Sequence, residues 1–240
     1  MSKIPGKEDR YYQELKAFIH GNEAECWKKV FNFPKYVDRI HLAKFMARYE
    51  LFRKILNVHG SIVECGVWNA RGTMSFAQWC SIFEPYNHTR KVIGFDTFPV
   101  DKSKKTKKKH KLGESGLTQD SFEEISKAIE LFDSNRPIGH IPKVELVKGD
   151  AVKTIPIYIK DNRHLIVSML YLDFGAVEPT RVALDNFLTR VPKGGIIAFD
   201  NIGSWKLTDN VPSLAKKLGI PSLKLQKFDF EPAISYAVVE

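Results

Sequence analysis

GSIVECGVWNARGTMSFA, residues 60–77, decides the fold. A short β-type segment, Ser61 to Val63, leads through Glu64 and Gly66 to a second glycine, Gly72, where a helix opens. Strand, tight turn and helix start follow within one stretch. Such a turn presents backbone N–H groups and a helix N-terminus to a ligand, and glycine lets the chain approach where a Cβ would collide.

Upstream, residues 8–33 carry helical patterns broken at Gly21 and Pro34. A stronger helix is expected from about Tyr36 to Val58, with Leu42, Phe45, Tyr49, Phe52 and Leu56 recurring at spacings of three and four. This stripe reads as packing. Residues 1–59 are accordingly expected to form an N-terminal helical extension, and residues 60–240 the main domain.

Downstream, a helix from Thr73 to Phe83 stops at Glu84-Pro85-Tyr86. Strands follow at Val92 to Phe95, Val144 to Val147, Ile166 to Leu172 and Gly195 to Phe199, and they run into Asp96, Gly149-Asp150, Asp173 and Asp200. Helical segments near 118–133, 151–160 and 177–191 supply crossovers and so a largely parallel sheet. Ser222 to Lys227 and Ala233 to Val239 add two strands joined by a turn, with the last antiparallel at the edge. The fold expected is α/β and Rossmann-like, a mostly parallel seven-stranded sheet with helices on both faces. In such a sheet ligands bind beyond the carboxyl ends of the strands, so the repeated acids should converge on one crevice.

Composition narrows the partners. Thirty-seven Lys and Arg against 28 Asp and Glu give a net charge of +9, which favours an anionic partner. Seven of those lysines fall between Lys102 and Lys111, in a stretch without apolar periodicity that reads as a solvated loop. It lacks the interleaved aromatics that stack bases, which argues against nucleic acid. Three cysteines, Cys26, Cys65 and Cys80, have no metal spacing and are expected as thiols in a cytoplasmic protein. The polar N-terminus and strand-length apolar runs point away from secretion and membrane insertion.

The turn Glu64-Cys65-Gly66, Asp96 after the second strand, Gly149-Asp150, Asp173, and Pro192-Lys193-Gly194-Gly195 together resemble class I S-adenosylmethionine-dependent methyltransferases. ECGVWNARGTMSFA, IGFDTFP, LDFGAVEPTRVALDNFL and PKGGIIAFDN more narrowly resemble the macrocin O-methyltransferase family, over about Arg48 to Glu240. The resemblance implies S-adenosylmethionine bound by Glu64, Gly66, Asp96 and Asp150. Asp96 would accept the ribose hydroxyls and Asp150 the adenine amino group. Gly66 would admit the methionine moiety, while Glu64 would order the turn or meet the methionine ammonium. It implies Asp173 as the catalytic residue, and a deoxysugar of a nucleotide-sugar or polysaccharide and natural-product pathway, expected to bear phosphate, as the small-molecule acceptor; a homo-oligomeric enzyme is expected. The alternatives are a nucleic-acid-binding protein or an inactive relative on the same scaffold.

Relatives of this kind hold magnesium with an Asp-x-Asp pair after the fourth strand and further acids after the fifth. Here Asp173 and Asp200 remain, while Gly175 and Asn201 stand where acids are expected and Ala176-Val177 where a tyrosine is. The resemblance therefore admits Mg2+ on Asp173, Asp200 and Asn201, held more weakly because each lost carboxylate lowers the attraction for a hard cation.

Overall fold

The computed structural model describes residues 7–21, 26–98, 120–200 and 224–240. Their chain forms two compact units, one from the described residues up to Ala43 and one from Lys44 onward.

In the first unit α1 (Lys7–Gly21) and α2 (Cys26–Phe31) are followed by a 3-10 turn at Phe33–Lys35. The Phe18 and Tyr36 rings stack with centroids 5.5 Å apart. The next helix, α3 (Arg39–Lys54), starts three residues later than its apolar pattern begins. The reason is a cap: Asp38 Oδ1 accepts the N–H groups of Ile40 at 2.8 Å and His41 at 2.9 Å, which takes up orphan donors of the first turn.

The second unit contains the last part of α3 and a seven-stranded sheet. Its strands are β1 (Ser61–Cys65), β2 (Val92–Asp96), β3 (Val144–Lys148), β4 (Val167–Leu172), β5 (Ile196–Asp200), β6 (Gln226–Lys227) and β7 (Ile234–Val238). The order across the sheet is β3-β2-β1-β4-β5-β7-β6, with the first five parallel and β7 antiparallel to both of its neighbours. The reversed strand is thus one place inside the edge, a correction to the expected topology. Burial explains the placement. Ile234 and Ala237 are wholly buried, as a strand paired on both sides requires, while the two-residue β6 offers only exposed Gln226 and Lys227 to the edge.

Helices α4 (Arg71–Phe83), α5 (Phe122–Ser134), α6 (Ala151–Asp161) and α7 (Val177–Phe187) make the crossovers. Side chains alternate along each strand, so one face presents Ile62, Met169, Tyr171, Ile196 and Ala198 to α3, α4 and α5. The other presents Val63, Leu170, Leu172, Ile197 and Phe199 to α6 and α7. The aromatic stripe of α3 is packing, as expected: Phe45, Tyr49 and Phe52 all lie within 6 Å of the Trp79 ring centre. Cys26, Cys65 and Cys80 are free thiols. No helix among the described residues is long and apolar enough to cross a membrane.

The chain runs β1 to β2 to β3 on one side of β1 and resumes with β4 on the other. Such a reversal opens a crevice at the carboxyl ends of β1 and β4, where Gly66 and Asp173 stand.

Candidate active site

The turn after β1 is built by a residue at the end of the next strand. Asp96 Oδ2 accepts the N–H groups of Val67 and Trp68, each at 2.9 Å, and its Oδ1 accepts that of Phe98 at 3.1 Å. Trp68, Ala70 and Phe98 all have left-handed backbone, φ +52°, +55° and +46°, which side chains disfavour. The Asp96 clasp offsets that strain. Gly66, at φ +100°, is needed for a second reason: a Cβ there would stand 2.5 Å from the Asp173 carbonyl oxygen. Its bareness lets β1 close against the end of β4, where the Asp173 N–H donates to the Cys65 carbonyl at 2.7 Å.

Glu64 lies beneath this turn, only 1 % exposed. Its carboxylate accepts from both the hydroxyl and the backbone N–H of Thr73, so it caps α4 from inside the protein. Ala70, at the helix's own cap position, offers no side-chain acceptor. Gly72 is required here too, since a Cβ would fall 1.8 Å from Glu64 Oε1. Burial pushes the Glu64 carboxyl up to about 7, against the opposing pull of Arg48 and Thr73. A carboxyl held above its unfolded value of 4.5 binds its proton more tightly in the folded state. The stability it contributes is therefore full below pH 4.5 and is lost as pH rises through about 7. Chemical denaturation of the parent and Glu64→Gln across that window should show the parent losing stability relative to the variant. A constant difference between them would refute the assignment.

On the same sheet face, Tyr171 stands near the end of β4, Asp173 follows just beyond that end, and Asp200 closes β5. Asp200 is wholly buried and fully engaged. Its Oδ1 is 3.2 Å from Lys44 Nζ, and its Oδ2 accepts from Arg48 Nη2 at 2.9 Å and from the Tyr171 hydroxyl at 2.8 Å. The Arg48 guanidinium also lies over the Tyr171 ring, 5.0 Å from its centre. The side-chain carboxylate of Asp173, half-buried beside this cluster, has no hydrogen-bond or ion-pair partner among the described residues. Burial, reinforced by the neighbouring Asp200 charge, pushes its carboxyl up to about 8, while Arg48 and Lys44 pull the other way.

The structure thus sorts the expected residues into groups. Asp96 and Gly66 meet in the turn, and Gly149 ties on the end of β3 by donating its N–H to the Asp96 carbonyl at 2.9 Å. Asp150, next in the chain, caps α6 by accepting from the Val152 N–H at 3.1 Å. Asp173 and Asp200 form a second group with Tyr171, Arg48 and Lys44, and Glu64 interacts with both Arg48 and Asp200 from below. Asn201 and the run Lys102 to Lys111 lie outside the described residues. Lys44, Arg48 and Tyr171 were not singled out from the sequence. Their signals were a pair of cations four apart on α3 and a tyrosine two residues before Asp173 on the same strand face.

The turn suits S-adenosylmethionine. It offers a carboxylate at the end of β2 and, at the start of α4, a helix terminus that lacks its own side-chain cap, where a carboxylate is favoured. In the second group, among the described residues, both Asp200 oxygens are already paired with cations and the Gly175 side-chain position brings no ligand. No set of three or more His, Cys, Asp or Glu among the described residues is arranged to hold a metal.

Comparison with known proteins is consistent with this geometry. The protein-family profile described as macrocin-O-methyltransferase (TylF) matches residues 42–220. Among solved structures, the calicheamicin methyltransferase CalS11 is 26 % identical, with a TM-score of 0.83 over 99 % of this chain and 94 % of that one. An apo structure of CalS11, described as a TDP-rhamnose 3'-O-methyltransferase, is 24 % identical, with a TM-score of 0.79 over 99 % and 96 % of the two chains. The O-methyltransferase NovP is 18 % identical, with a TM-score of 0.58 over 82 % and 79 %. No curated protein sequence matches the chain. With three quarters of its length matched, the chain belongs to the macrocin O-methyltransferase family.

Proposed function

We propose that this methyltransferase takes a deoxysugar as acceptor, carried on a nucleotide or similar phosphate-bearing group, and methylates one of its hydroxyls. The observation that carries the reading is the placement of Asp173, a carboxylate unpartnered among the described residues, at the switch between β1 and β4, one backbone contact from the glycine turn. S-adenosylmethionine, when bound, supplies an electrophilic methyl carbon on a sulfonium. The protein's part is to align the acceptor oxygen with that carbon and to take the hydroxyl proton.

Asp173 is the group assigned to receive that proton. It must be ionised to do so, and a carboxyl near 8 is a far better match to a sugar hydroxyl than an ordinary one. Positive charge arriving in the site favours the ionised form. Asp96 is assigned to the ribose hydroxyls, Asp150 to the adenine edge, and Glu64 to holding α4 and the turn rather than to direct contact. The net charge of +9 supports a phosphate-bearing acceptor. A cytoplasmic homo-oligomer remains part of the reading, as does residue 59 as the end of the N-terminal extension.

A screen of nucleotide-linked deoxysugars, TDP-rhamnose first, with radiolabelled S-adenosylmethionine tests the substrate class. Label transferred to one of them supports it, and label transferred only to acceptors without a sugar would sink it. Asp96→Ala removes both a charged acceptor and the clasp on Val67 and Trp68, so calorimetry should show affinity for S-adenosylhomocysteine weakened by roughly 100-fold, the loss of two charge-assisted hydrogen bonds. Unaltered affinity would remove Asp96 from the site.

A further inference from the structure

Asp200 stands where a carboxylate would face a divalent ion, yet a different cation already occupies it. Lys44 Nζ and Arg48 Nη2 reach its two oxygens at 3.2 and 2.9 Å, and the Tyr171 hydroxyl completes the set. All of these groups are deep in the protein, Lys44 having 11 % of its side chain exposed and Arg48 3 %. Both cations also interact electrostatically with Asp173. Two unit charges set against two aspartates carry the same total as one divalent ion. Asp200 Oδ2 cannot turn to a metal without taking from the buried Arg48 guanidinium its carboxylate partner, an arrangement far costlier than the intact pair.

We propose that Lys44, backed by Arg48, supplies the positive charge at the ends of β4 and β5 that a divalent ion would otherwise supply, so that this protein positions its acceptor and transfers methyl without a metal. The proposal rests on the methyltransferase reading above. Both cations come from α3, whose last turns pack on this face of the sheet, and they sit four residues apart, one helical turn, so that their side chains leave the helix on the same side. Lys44 acts on the aspartates, and is a positioning residue.

Mn2+ is the probe, because its free form is read directly by electron paramagnetic resonance. The parent protein should take up none at up to about 1 mM, a concentration at which even weak carboxylate sites fill. Lys44→Gln, which keeps length but removes the charge, and Lys44→Ala, which also opens space, should each gain a site at least roughly tenfold tighter than the parent. Lys44→Arg, which keeps the charge, should behave as the parent does. One equivalent of Mn2+ bound by the parent, or variants that bind no more tightly, would overturn the assignment. Melting curves on the same samples identify any variant that has lost its fold, and the three substitutions provide independent arms. With an acceptor from the screen, parental turnover should change by less than about twofold in excess EDTA, where a metal-activated enzyme would lose its nucleophile's activation; loss restored by Mg2+ would overturn the proposal. Calorimetry with S-adenosylhomocysteine separates the two levels. A parent that binds no S-adenosylhomocysteine fails the methyltransferase reading itself, whereas one that binds it and also takes up Mn2+ fails only the cation assignment.

Discussion

Asp173→Asn should abolish methyl transfer, lowering kcat by about 100- to 10,000-fold, the range that a positioned general base contributes, with S-adenosylhomocysteine affinity within about twofold of the parent. Asparagine keeps the shape and the backbone bond to Cys65 but cannot accept a proton. The parent's kcat/KM should rise with pH through about 8 and level off above it, because the proton acceptor must first lose the proton that burial and Asp200 help it hold. The sign follows from the role: a general acid at the same position would give the opposite slope. A variant that turns over at the parental rate would exclude Asp173 as base, and a flat parental profile between pH 6 and about 9 would show that its ionisation does not limit the reaction.

Asp200→Ala should destabilise the fold by about 3–5 kcal/mol, since it leaves one partner of a buried ion pair uncompensated. In a domain of this size that corresponds to a melting temperature lower by roughly 10 °C. Lys44 and Arg48 would then face each other's charge without the carboxylate between them, and the Tyr171 hydroxyl would lose its acceptor. Tyr171→Phe isolates the smallest of these losses and should cost about 1 kcal/mol, the net worth of one hydrogen bond. If Asp200→Ala melts within a degree or two of the parent, the cluster of Asp200, Lys44, Arg48 and Tyr171 is not the structural keystone that its burial indicates.

The two predictions differ in how visible their residues were beforehand. Asp173 and Asp200 could be found by following apolar runs to the acids that end them, because strand burial imposes continuous Val, Ile and Leu on a parallel sheet and the chain turns polar where the strand emerges. The glycine turn was visible for a similar reason: only a residue without Cβ fits against the Asp173 carbonyl or beside Glu64. Glu64, Asp96 and Asp150 could likewise be located as strand-end acids. Their observed partners could not. Whether such an acid meets a ligand, a helix terminus or a backbone nest depends on which way its side chain faces and what stands opposite.

The local order of strand, turn and helix, the seven strands and the acids at their ends were determined by the sequence alone, since each follows from periodicity and from residue types that only certain backbone conformations accept. The tertiary structure alone decided that β7 inserts between β5 and β6, because burial on both sides of a strand is a property of the whole sheet. It alone decided that Asp96 clasps the turn 29 residues before it, and that Asp200 is neutralised by Lys44 and Arg48 from 156 and 152 residues away. No periodicity links positions so far apart. Their pairing is set by the packing of α3 on the sheet, which brings two cations to the buried end of β5, where an unpaired carboxylate would be costly.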